Sequence, residues 1–157
     1  MAKRLSHLDE KGHVRMVDVS AKSITTRRAV AEGRVKISRQ LAKMISSGSV
    51  PKGDLLAAVR LAGIQGAKKT SELIPLCHNL PLEQVDVQAS VRGSFVKLRA
   101  TVICVGRTGV EMEALTAVAV AALTVVDMGK AIDPAMVIGP IQLVEKTGGK
   151  TNFRRRA

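Results

Sequence analysis

Trp and Tyr are absent from this chain of 157 residues, and Phe95 and Phe153 are the only rings besides histidine. Single-stranded nucleic acid is commonly held by bases stacked on aromatic side chains, so that mode of binding lacks its platform here. Cysteine is scarce too: Cys77 and Cys104 make no disulfide framework. A metal site needs three or four ligands at workable spacing, and beyond Cys77 and His78 only Cys104, His7 and His13 remain as soft ligands. No metal is therefore expected. Long apolar runs are missing as well. The longest, Ala114 to Val126, is thirteen residues with two Thr, short of the roughly 20 that span a bilayer. Residues 1–15 are polar and charged, with no apolar signal region. These absences point to a soluble, cytoplasmic protein with free thiols.

Acids are few against bases. The 25 Lys and Arg face 13 Asp and Glu, a net charge of +12. Such a field gathers anions without naming them. Two classes of function compete on this charge. One is a basic, non-catalytic nucleic-acid-binding protein, whose affinity would fall steeply with salt. The other is an enzyme for a small, highly charged anion. A third reading, a structural subunit of a larger enzyme, predicts that losing Lys52 leaves partner activity intact.

The chain reads as one α+β domain. Residues 1–20 lack periodicity and form an exposed lead-in. Ile24 to Ile37 alternates as a strand, with breaks at Val30 and Gly33. Ser38 caps a short helix over Arg39–Ser47, which Gly48 and Pro51 end. A second helix begins near Asp54, carries the stripe Leu55, Val59 and Ala62, and fades near Leu73, before Pro75. Gly63, Gly66 and Ala67 suit close packing. Val85–Val91 and Phe95–Val105 alternate around Arg92-Gly93-Ser94, a hairpin signal. An Ala-rich helix spans about Val110–Met128, and Met136–Val144 is a last strand. Omitting the short helix, the order is βαββαβ, a ferredoxin-like plait: an antiparallel sheet with helices on one face. The domain is placed at 21–150, with a solvated basic tail at 151–157.

Several segments can carry chemistry. Lys52-Gly53-Asp54 opens a helix, where free N–H groups favour an anion; a solvated lysine beside a cap is the plainer account. His78, in a loop after Pro75, suits proton transfer or substrate hydrogen bonding; capping a helix end is the alternative. Glu111 and Glu113 open the long helix and could be mere dipole partners, but a helix this apolar should be buried, which puts its ends near an interface. Asp127 lies at the unfavourable end of the dipole, and a three-residue spacing lets it share a face with Lys130. Glu113 and Asp127 also share a face, roughly 21 Å apart along a straight helix. One small-molecule site can use both only if two chains contribute. Lys146–Lys150, around Gly148-Gly149, reads as a mobile loop.

Taken together, MVDVSAK (16–22), KGD (52–54), AGIQGAKKT (62–70), LIPLCHNLPL (73–82), TGVEMEALTAV (108–118), DMGKA (127–131), MVIGPIQLVEK (136–146) and GGK (148–150) resemble the MoaC family of molybdenum-cofactor biosynthesis. The resemblance implies a lyase that turns a cyclised dihydroguanosine triphosphate into cyclic pyranopterin monophosphate with loss of pyrophosphate, without an obligatory organic cofactor. It implies Lys52, Lys130 and Asp127 as catalytic residues. Leu76, Cys77, His78, Met112 and Glu113 would contact substrate, with Glu111 and Lys69 in the same pocket. A desolvated lysine beside other cations can trade protons near neutral pH, and further cations would hold the phosphates. Lys146 and Lys150 could close over them. The family further implies a hexamer of three dimers with sites between subunits, and an upstream radical enzyme as partner. The chain departs from the family's habit at Val126, Gly129, Asn79 and Thr151-Asn152, none of them a proposed acid, base or lysine.

Overall fold

The structure, a computed structural model, describes residues 12–156. Part of the 1–20 lead-in, residues 1–11 with His7, lies outside them. The elements run β1 (Thr25–Lys36), α1 (Arg39–Ser46), α2 (Leu55–Lys68), α3 (Thr70–Leu73), β2 (Leu82–Arg92), β3 (Phe95–Gly106), α4 (Glu111–Gly129), β4 (Val137–Thr147) and β5 (Phe153–Arg154). The sheet order is β2-β3-β1-β4-β5, and every pairing is antiparallel. Its first four strands have the order of the ferredoxin-like plait.

β1 is the centre of the sheet because it is apolar where it must be. Ala29, Ala31 and Val35 face the helices and are fully buried with Val96, Ala100 and Val102 of β3. The two positions that interrupt its alternation coincide with register shifts against β4, one between Val30 and Ala31 and one between Gly33 and Val35. A bulge absorbs the extra residue without turning the rest of the strand inside out. The other sheet face is polar and carries Arg28 paired with Glu145 and Arg99 paired with Glu32.

With no large rings available, the core is built from aliphatic side chains, among them Leu41, Leu55, Val59, Val118 and Val125. Each contributes about 1.5–3 kcal/mol when fully buried. α4 is the core helix. It is also the one described helix long and apolar enough to cross a membrane, although 56% of its most apolar window is already buried inside the fold. α2 lies against it through glycine. A Cβ on Gly66 would stand 2.8 Å from Val120, and one on Gly63 would stand 3.1 Å from the Ala117 carbonyl.

Local signals set the helix starts. Ser38 Oγ accepts from the Leu41 amide at 3.2 Å, and Asp54 Oδ1 accepts from the Ala57 amide at 2.9 Å. The second helix ends earlier than its pattern suggested. At Lys69 the backbone leaves helical geometry (φ −103°, ψ 10°). Thr70, 1% exposed, then starts the single turn α3, its hydroxyl donating to the Gly66 carbonyl at 3.3 Å. The last strand runs three residues further than expected, to Thr147, so Lys146 belongs to β4 and not to a loop. Its partner β5 lies within the basic tail, where Arg155 Nε donates to the Leu143 carbonyl at 3.1 Å.

Candidate active site

Three of the predicted residues meet at the C-terminal end of α4. Asp127 Oδ1 accepts from Lys130 Nζ at 2.7 Å, and Oδ2 accepts from Lys52 Nζ at 3.2 Å. Lys52 also donates to the Asp127 carbonyl at 2.9 Å. One ammonium thus caps an orphan carbonyl of the helix and neutralises a carboxylate that the dipole disfavours. Hydrogen bonds from Lys130 and Lys52 hold the Asp127 carboxyl below the usual carboxylate range. Desolvation of these lysines, expected from the family pattern, is not met within one chain: their side chains are 49% and 61% exposed.

A second group forms at the other end of α4. Leu76, Cys77, His78, Met112 and Glu113 line a cleft of about 380 Å³ together with Val17 and Val19 of the lead-in. The segment before β1 is held there by His78, whose Nε2 donates to the Val17 carbonyl at 2.9 Å. A carbonyl only accepts, so Nε2 carries the proton. Glu113 is 4% exposed. Burial pushes its carboxyl up to about 7, with a smaller push from neighbouring Glu111. Burial, helped by Glu113, also raises the Cys77 thiol. Cys77 is therefore a neutral wall of the cleft rather than a poised nucleophile.

Alongside runs a wider, strongly basic cleft of about 750 Å³, lined by Lys22, Arg27, Arg107, Lys146, Lys150 and the Gly148-Gly149 turn. Lys22, Thr108, Gly109 and Glu111 border both clefts. The two arginines are fixed by backbone. Arg27 Nε donates to the Gly106 carbonyl and its Nη2 to the Arg107 carbonyl, while Arg107 Nε donates to the Lys22 carbonyl, each at 3.2 Å. Thr25 Oγ1 donates to the Gly148 carbonyl at 2.7 Å. The Asn152 side-chain Oδ1 accepts from the Gly148 amide at 3.3 Å, so the departure at this position braces the turn.

Lys69 is not brought to these clefts: it pairs with Glu72 at 3.0 Å on the α2–α3 corner. Lys22 and Arg27 were missed as site residues. Lys22 closes the MVDVSAK run, its one usable signal; Arg27 lies outside all the matching runs. Among the described residues, no group of three His, Cys, Asp or Glu could hold a metal ion.

A ferredoxin-like α+β subunit with two lysines and a carboxylate at one end of its core helix, and a histidine, a buried glutamic acid and a basic cleft at the other, has the groups of an acid–base enzyme for small anions. The relatives agree. The MoaC family model matches residues 16–149, and the chain belongs to that family. It is 54% identical over 153 residues to the cyclic pyranopterin monophosphate synthase of Streptomyces griseus, covering 98% of this chain and 86% of that one. It is 54% identical over 154 residues to the synthase of the same name from Thermomicrobium roseum, covering 97% and 93%. Against that from Parvibaculum lavamentivorans the identity is 52% over 152 residues, covering 96% and 95%.

Proposed function

We propose that this chain is a lyase that converts the cyclised dihydroguanosine triphosphate into cyclic pyranopterin monophosphate and pyrophosphate, in a site shared between two copies. In this reading Lys52, Asp127 and Lys130 exchange protons as the purine-derived ring is rebuilt. Leu76, Cys77, His78, Met112 and Glu113 hold the heterocycle. The basic cleft, with Lys146 and Lys150, carries the phosphates. A substrate hydroxyl attacks the α-phosphorus and gives up its proton to a base. The bond to the β-phosphate breaks, and the cations stabilise the departing pyrophosphate.

The observation that carries the reading is the helix that separates its two halves. Glu113 and Asp127 lie roughly 21 Å apart along α4, so neither half can serve a small substrate with the other in the same chain. The outward stripe of α4 is apolar, with Met112 36% and Leu123 61% exposed and Leu115 half-buried between them. A second copy laid antiparallel on this stripe would bring its Asp127 end to the first copy's Glu113 end. It would also desolvate Lys52 and Lys130. A hexamer of three such dimers, working in the cytoplasm on a product handed over by a radical enzyme, fits this arrangement. Lys69 would reach substrate only across such a contact.

The test is to incubate the purified protein with the cyclised GTP intermediate and follow pyrophosphate. Release by wild type, and its loss in Lys52→Ala and Lys130→Ala, is expected. A folded wild type that releases none overturns the reading.

A further inference from the structure

We propose that Glu111 is a positioning residue, a carboxylate that holds Lys146 at the boundary of the two clefts and yields it to an incoming phosphate; this rests on the reading above. Three observations place it there. Glu111 borders both clefts, whereas Lys146 lines only the basic one. Glu111 Oε1 accepts from Lys146 Nζ at 2.9 Å. The other oxygen lies over Gly109, where an added Cβ would stand 1.8 Å from Oε2. The glycine is thus the room that the carboxylate folds into.

The two partners are anchored differently. Lys146 is held in β4, paired with Ala29 on one side and Phe153 on the other. Glu111 occupies the first turn of α4, where a negative charge is favoured. The pair is partly shielded, with side chains 27% and 35% exposed, so it is less screened than a surface pair. A polyphosphate entering the basic cleft presents more charge than one carboxylate and competes for the same ammonium. Exchange of Lys146 from Glu111 to phosphate leaves the number of ion pairs on the lysine unchanged and swings Glu111 free beside Glu113. The charge of Glu111 already pushes the Glu113 carboxyl in the direction that burial does, so the device links phosphate arrival to the acid of the neighbouring cleft.

The experiment compares wild type, Glu111→Gln, Lys146→Ala and the double variant, with Gly109→Ala added to displace the carboxylate without removing it. Pyrophosphate release gives kcat and KM, and calorimetric titration with inorganic triphosphate gives affinity independently of turnover. Glu111→Gln is expected to bind triphosphate several-fold more tightly, because its competitor for Lys146 is gone, while kcat falls about 10- to 100-fold. Gly109→Ala should shift both quantities the same way. The double variant should be no slower than Lys146→Ala, since residues acting as a unit are not additive. Independent, multiplying losses in the double variant overturn the proposal. So does triphosphate affinity unchanged in Glu111→Gln, a comparison that decides the matter even if the wild type releases no pyrophosphate.

Discussion

Asp127 holds two lysines that lie on different elements, Lys130 at 2.7 Å on one oxygen and Lys52 at 3.2 Å on the other. The trio is exposed, so its ion pairs add little to the fold. Under the proposed function, its worth lies in keeping two ammonium groups and a carboxylate within reach of one another. Asp127→Asn keeps the shape and removes the charge. Pyrophosphate release should fall by about 10²–10⁴-fold, with the thermal midpoint essentially unchanged. A parallel loss of stability and activity would instead make Asp127 a structural cap. The pH dependence has a definite sign. The Asp127 carboxyl is held below the usual range, so it stays ionised through neutral pH. The activity that depends on its charge disappears only as pH falls through that lowered value.

A site divided between copies predicts complementation. Lys52→Ala and Glu113→Ala should each be inactive alone. In a two-fold dimer made of one copy of each, one site combines both lesions and the other combines neither. Equal mixing with random reassociation makes about half the dimers hybrid, so about one quarter of sites should recover. The measurement is pyrophosphate release after co-refolding, or after subunit exchange. A mixture as dead as its parents would place both halves of the site in one chain.

The four long strands and the starts of α1, α2 and α4 were legible because they are local. Alternation in Ala29–Ala31–Val35, the cap at Ser38 and the Gly93-Ser94 turn each act over a few residues. The breaks at Val30 and Gly33 even marked the bulges. The end of α2 was not legible, because no strong helix breaker stands before Pro75 while the backbone turns at Lys69 to bury Thr70. β5 is only two residues long and draws its order from β4 rather than from itself. The site was legible where its partners are three residues apart, as with Asp127 and Lys130. Lys52 meets Asp127 across 75 residues, and only resemblance joined them. Lys22 and Arg27 taken singly look like solvated charges; the shared cleft that gives them meaning exists only after β1, β3 and the lead-in come together.

Close packing of α2 on α4 makes Gly66 sensitive to its smallest replacement. Gly66→Ala adds a Cβ 2.8 Å from both Val120 Cβ and Cγ2, and 3.2 Å from the Thr116 carbonyl. Rotating the Val120 side chain would move its Cγ2, but the Val120 Cβ and the Thr116 carbonyl oxygen cannot swing away. Alanine gains up to about 1 kcal/mol in helix propensity, but overpacking of this kind costs about 1–3 kcal/mol. The net expectation is a lower urea midpoint with an unchanged slope. A variant more stable than wild type would mean that α2 sits looser on α4 than described.

Glu113 offers the sharpest test of the buried end of the helix. Its carboxyl moves from the ordinary 4.5 to about 7, and burial is the main cause. The folded chain therefore keeps this proton up to about pH 7, while the unfolded chain releases it near 4.5. Between those values the unfolded state binds fewer protons, so this group's contribution to stability is full below about pH 4.5 and declines until pH passes about 7. Above that both states are ionised, and the buried charge leaves a constant penalty on the order of 3 kcal/mol. Glu113→Gln has no proton to lose and keeps a side chain of the same shape. Urea unfolding of the two proteins should match most closely near pH 4.5. Their curves should diverge as pH rises, with the glutamine variant the more stable at pH values above about 7. A stability difference that stays flat across this window would mean that Glu113 is ionised and solvated in the folded chain, and the cleft beside His78 would then lack its neutral acid.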